Sequence, residues 1–82
     1  MATIALAVAA AAALCSTAPG GDARAYCRAL ESGESSYCYA IMDADSRTIC
    51  RAHVRGEPSL CAAVQDEQMR GICRVRAVLG RG

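Results

Sequence analysis

An 82-residue chain has room for one domain, and at that size a hydrophobic core alone supplies little stability. Its formal charge of +1, with every basic side chain an arginine, offers no strong pull on nucleic acid or membrane. Six cysteines in so short a chain, with no Phe or Trp to build a core, point instead to covalent staples.

Residues 1–13 come first and read as a signal peptide or an apolar N-terminal helix. Thr3 to Leu14 resembles the apolar stretch of a secretory signal, and Ala11-Ala12-Ala13 offers small residues for cleavage. No Lys or Arg precedes the stretch. A second small-residue site at Ala23-Arg24-Ala25 would remove Cys15. A lipoprotein signal would lipidate Cys15, but Leu14 is too large for the residue before it. The run is under twenty residues and alanine-rich, so no stable membrane span is expected.

Residues 14–82 form a cysteine-rich repeat. Arg24 to Arg28 reads RAYCR, Arg47 to Arg51 reads RTICR and Arg70 to Arg74 reads RGICR, each 23 residues after the last. The same shift aligns Cys15 with Cys38 and Cys61, Ser36 with Ser59, Ile41 with Val64 and Asp43 with Asp66. The copies span about 14–35, 36–58 and 59–80. In the first, Ser16 to Gly21 replaces what should be helix. Such a period belongs to a stacked supersecondary unit that buries a face only against its neighbours.

Each copy predicts two short helices, so the fold class is all-α: disulfide-stapled helical hairpins in a repeat of roughly 23 residues. Ser36 and Ser59 are the expected N-caps of helices near 37–42 and 60–65. Cys38 with Ile41 and Cys61 with Val64, at i, i+3, share one face. Asp43 to Ser46 and Asp66-Glu67 supply a turn and the next cap. Helices then run over about 46–55, stopped by Gly56 and Pro58, and 67–79, before Gly80. Ile49, Cys50 and Val54 form one stripe, and Met69, Ile72, Cys73 and Ala77 its counterpart. Helices this short do not persist alone in water.

The cysteines supply the staple. Cys38 and Cys50 lie equally far from the turn at Ala44, and Cys61 and Cys73 repeat the arrangement. Pairing within units uses all six as Cys15–Cys27, Cys38–Cys50 and Cys61–Cys73. Cys50 and Cys61 are also nearly symmetric about Arg55-Gly56, which leaves pairing between units as a rival.

Chemistry-bearing groups are sparse. Arg47, Arg51 and Arg55 at i, i+4, i+8, with Arg70 and Arg74, form a ladder suited to phosphate or carboxylate. Asp43 and Asp66, each four residues before an arginine, make intrahelical pairing the blander expectation. Thiolates would select copper or zinc, but no C-x-x-C occurs, and Leu30 and Arg76 stand where His53 stands in its own copy. A Cys50–His53 dyad lacks a third group to orient the imidazole. Tyr26, Tyr37 and Tyr39 fit helix faces rather than a base-stacking platform. No catalytic, metal or cofactor residue is assigned.

The motif R-x-[YI]-C-R, preceded by S-x-C-x-x-[IV]-x-D, resembles an uncharacterised bacterial cysteine-helix repeat of small exported proteins over about residues 14–79. That resemblance implies no activity. The arrangement is also similar to twin-cysteine helical hairpins of the mitochondrial intermembrane space, which have nine residues between cysteines where this chain has eleven within a unit. The expected function is a non-enzymatic, secreted or periplasmic structural or interaction module, its partner an unknown protein or envelope component. The alternative is a thiol-based metal-binding or redox protein.

Overall fold

The computed structural model describes residues 15–81, so the signal-peptide reading of residues 1–13 lies outside the described residues. Three α-helices, α1 (Gly21–Ser32), α2 (Ala44–Arg55) and α3 (Glu67–Arg81), alternate with two 3₁₀ helices, η1 (Ser35–Ala40) and η2 (Pro58–Ala63). Residues 15–17 are helical ahead of α1, and no strand occurs among the described residues. The all-α reading is therefore correct.

Turn chemistry sets the boundaries. Asp43 precedes α2 and accepts from the Ser46 amide at 2.8 Å; Asp66 precedes α3 and accepts from the Met69 amide at 2.9 Å. Each carboxylate satisfies a first-turn N–H that has no partner inside the helix. Gly33 and Gly56 end α1 and α2 at φ 74° and 62°, a left-handed conformation that side chains resist. In the third copy the same place holds Leu79, and α3 continues through Gly80 to Arg81 instead of stopping near Leu79.

The first half of each copy differs from expectation. It is 3₁₀ rather than α, and Ser36 and Ser59 lie inside it instead of capping it. Glu34 and Glu57 hold the cap positions without capping through their side chains. The segments are too short to gain much from α geometry, and the tighter i→i+3 bonding closes six residues between two turns.

All six cysteines pair within units, as Cys15–Cys27, Cys38–Cys50 and Cys61–Cys73, with Cα separations of 5.4, 5.7 and 5.6 Å. The rival Cys50–Cys61 link is absent. Each bridge ties an α-helix to the short segment before it. A loop of this size contributes about 3 kcal/mol by constraining the unfolded chain.

The hydrophobic core, by contrast, lies between units. One buried cluster joins Ala29 of α1 to Cys38 and Ile41, and to Cys50 of α2, with Tyr26 and Val54 packed against it. The other joins Ile49 and Ala52 of α2 to Cys61 and Val64, and to Cys73 and Ala77 of α3. Adding 23 to Tyr26, Ala29, Cys38, Ile41, Cys50 and Val54 turns the first set into the second. α1 and α2 thus each bury one stripe against the unit that follows.

Carboxylates reinforce these joints. Asp22, in the first turn of α1, accepts from the Met42 and Asp43 amides at 2.9 and 3.3 Å. Asp45, one repeat on, accepts from Gln65 and Asp66 at 2.9 and 3.1 Å. Both caps and carboxylate catches satisfy backbone donors at the turns, where no helix supplies a partner.

Candidate functional site

The first arginine of each five-residue motif is a structural clamp. Arg47 Nε donates to the Ile41 carbonyl at 2.9 Å and its Nη2 to Met42; Arg70 repeats this with Val64 at 3.0 Å and Gln65. Arg24 reaches the Ala18 carbonyl in the same register. Asp43 and Asp66 serve as caps, so the expected aspartate–arginine pairs do not form as ion pairs. The Ser46 amide and hydroxyl hold the Asp43 carboxyl below its ordinary range, with Arg47 adding a smaller through-space effect.

The rest of the ladder divides. Arg51 lies over the Tyr39 ring at 5.3 Å, with its Nε buried and unpartnered, and Arg55 pairs with Glu57 at 3.0 Å. Arg74 is exposed. The five arginines therefore do not present one uniform row of free guanidinium groups.

A different constellation stands where the repeat departs from itself. Tyr26 occupies the place of Ile49 and Ile72, while Leu30, His53 and Arg76 share another place across the three copies. A tyrosine extends farther than an isoleucine, so Tyr26 crosses α2 and reaches α3. Its hydroxyl meets His53 Nδ1 at 2.9 Å and accepts from Arg76 Nη1 at 3.2 Å. The Tyr26 and His53 rings meet edge to face with centroids 5.8 Å apart, and the Arg76 guanidinium lies 5.6 Å from the Tyr26 centroid.

Arg76 donates to the phenol oxygen, and the phenol and His53 Nδ1 share a hydrogen bond whose direction follows the imidazole tautomer. Burial, then the neighbouring Arg76 charge, lowers the His53 pKa from 6.5 and favours the neutral imidazole. Burial raises the Tyr26 pKa above 10.0 against the opposing pull of Arg76.

These groups border an open groove of about 580 Å³ that runs between α1 and α2, walled by Ala23, Leu30 and Ile41, with Asp22 and Ser46 also on its lining. The groove combines apolar walls with the Arg76 guanidinium and the His53 imidazole. Cys50, the expected partner of any His53 dyad, is bonded to Cys38 and offers no nucleophile. No free cysteine exists, and no cluster of three or more His, Cys, Asp or Glu side chains suits a metal ion among the described residues. Tyr37 and Tyr39 are exposed and lie outside the groove.

The sequence put Tyr26 on a helix face and gave His53 no orienting partner, and their meeting with Arg76 was not foreseen. The available signal was the mismatch itself, since Leu30, His53 and Arg76 fill one repeat position with three chemistries. No helix among the described residues is long and apolar enough to cross a membrane. Searches of family models, curated proteins and solved structures find no match to this chain.

Proposed function

We infer that this chain is a non-enzymatic interaction module of an exported, secreted or periplasmic protein, and that the Tyr26–His53–Arg76 groove is its contact surface. One observation carries the reading. Staples, clamps, caps and core stripes recur at the 23-residue shift, whereas the groove position varies as Leu30, His53 and Arg76. A scaffold needs its repeated parts alike, and a recognition surface needs them different. Three disulfides favour an oxidising compartment, and the apolar N-terminal stretch fits the same route. The thiol-metal alternative loses support because every cysteine sulfur is bonded to another.

Pull-downs from envelope and extracellular fractions test the assignment, using the wild type, a His53→Leu/Arg76→Leu variant and an Arg51→Gln/Arg74→Gln variant. The first variant should keep its far-UV circular dichroism and lose the partner that wild type retains; the second should keep both. The opposite pattern would move the contact surface to the arginine ladder. A thiol titration of the native protein finding several reactive groups would restore the metal or redox reading.

A further inference from the structure

The three bridges share one span and differ in their surroundings. Cys38, Cys50, Cys61 and Cys73 are 0% exposed, and each of their two bridges sits inside one of the buried clusters. Cys15 and Cys27 belong to neither of those clusters, and Cys27 is only half-buried. Hollows lie at both ends of this first bridge. Cys27 is on the lining of the groove, together with Ala23 and Leu30, and Cys15 lines a second hollow of about 320 Å³ with Arg28, Glu31 and Tyr37.

Access governs the chemistry of a disulfide, because exchange begins when a thiolate reaches one of its two sulfurs. The core bridges give no approach while their clusters are closed. Reaching them means separating a unit from the residues packed around its cystine, Ile41 and Ala29 in one cluster and Ile49 and Val64 in the other. The first bridge needs no such opening.

Breaking it also leaves the rest of the fold in place. Contacts that the bridge does not make hold α1 to the second unit. Ala25 and Ala29 are buried with Ile41 and Cys50, Asp22 accepts from the Met42 and Asp43 amides, and Tyr26 meets His53 and Arg76. What the bridge ties down is the short segment ahead of α1, which enters the helix through Gly20 at φ 82°. The reduced form has a partner for its proton as well. Cys15 Sγ lies 3.4 Å from Glu31 Oε2, an acceptor that a disulfide sulfur cannot use and a thiol can.

We propose that the Cys15–Cys27 disulfide is the site at which this protein undergoes reversible thiol–disulfide exchange with a dithiol, while the two core bridges stay closed. One thiolate of the dithiol attacks Cys27 Sγ. A bond forms between those sulfurs, the Cys15–Cys27 bond breaks, and Cys15 leaves with the electron pair and takes up a proton. The second sulfur of the dithiol, as its thiolate, then attacks the first, and Cys27 leaves and is protonated in turn. The dithiol is oxidised to its disulfide, and the chain gains two electrons and two protons. The reverse steps restore the bridge. This site does not depend on what the groove contacts.

The oxidised full-length chain is treated with graded dithiothreitol under native conditions, quenched with N-ethylmaleimide, and its labelled cysteines are mapped by mass spectrometry. Cys15 and Cys27 should be labelled together about 100-fold sooner than the other four, since a core bridge reacts only when its unit opens. The two-thiol form should keep the far-UV circular dichroism of the oxidised chain, and oxidised glutathione should return it to the Cys15–Cys27 link. A folded Cys15→Ser/Cys27→Ser chain should take up no label at the same dithiothreitol level. Labelling of all six cysteines at one rate overturns the proposal, as does earlier labelling of either core bridge. A two-thiol form that has lost its helices overturns it too.

Discussion

The joint between the first two units and the joint between the last two share one plan and differ in wetness. Both use a carboxylate catch, an alanine stripe and a buried cystine. At the second joint Ile49 is only 2% exposed, and α2 and α3 lie against each other along much of their length. At the first joint the corresponding residue is Tyr26, half-buried, and α1 and α2 meet sparingly, leaving the groove between them. One side chain with a polar tip separates a dry joint from an open one. The comparison teaches that this repeat packs tightly at its second joint and leaves a groove open at its first.

Removing bridges should break the molecule unevenly. Chain entropy assigns each disulfide about 3 kcal/mol, because all three close loops of the same length. Cys61 and Cys73 are fully buried in the dry core, whereas Cys27 is half-buried. The Cys61→Ala/Cys73→Ala chain should therefore lose more stability to urea than Cys15→Ala/Cys27→Ala. Full reduction should abolish most of the helical circular dichroism, because none of these helices is long enough to persist alone. Equal losses from the two double variants would erase the distinction between joints.

A sharper comparison uses two isoleucines in the same repeat position. Ile49→Ala should cost about 3 kcal/mol, the usual consequence of a cavity in a packed core. Ile72→Ala should cost under about 1 kcal/mol, because the residue is already half in water. Chemical denaturation measures both, and a large loss at Ile72 would show that α3 buries this face within the chain.

An effect smaller than the Ile49 cavity belongs to the Tyr26–His53 contact. Folding lowers the His53 pKa below 6.5, so the unfolded chain takes up the proton first as pH falls. The contribution of the neutral imidazole is present in full above pH 6.5 and is lost as pH falls through the lower folded value. Tyr26 acts at the other end: its raised pKa means that stability declines above pH 10.0, where the unfolded phenol ionises first. Tyr26→Phe should cost about 1 kcal/mol near neutral pH and flatten the decline above pH 10. Stability curves against pH for the two chains decide this, and superimposable profiles would contradict it.

Much of the scaffold was legible from the residues. The 23-residue period, the aspartate caps and the glycine stop at Gly56 are local features, settled by backbone donors and a left-handed turn within a few positions of the residue concerned, whereas Gly80 stops nothing because α3 runs through it. Cysteine pairing was narrowed to two options by spacing, and three-dimensional proximity chose between them. The 3₁₀ character of η1 and η2 was less legible, since an i, i+3 apolar pair fits either helix type. Ser36 and Ser59 consequently looked like caps.

The sequence by itself determined an all-α repeat, with six cysteines in register and a turn before each helix of the last two copies, because those properties rest on periodicity and nearest neighbours. Only the tertiary structure decided that the staples hold units while the core joins them. It turned Arg47 and Arg70 inward to carbonyls, and it brought Tyr26 to Arg76 across 50 residues. It also left Ile72 exposed where Ile49 is buried, although both sit in the same motif. Burial depends on whether a following unit arrives to cover the stripe, and no local pattern carries that information.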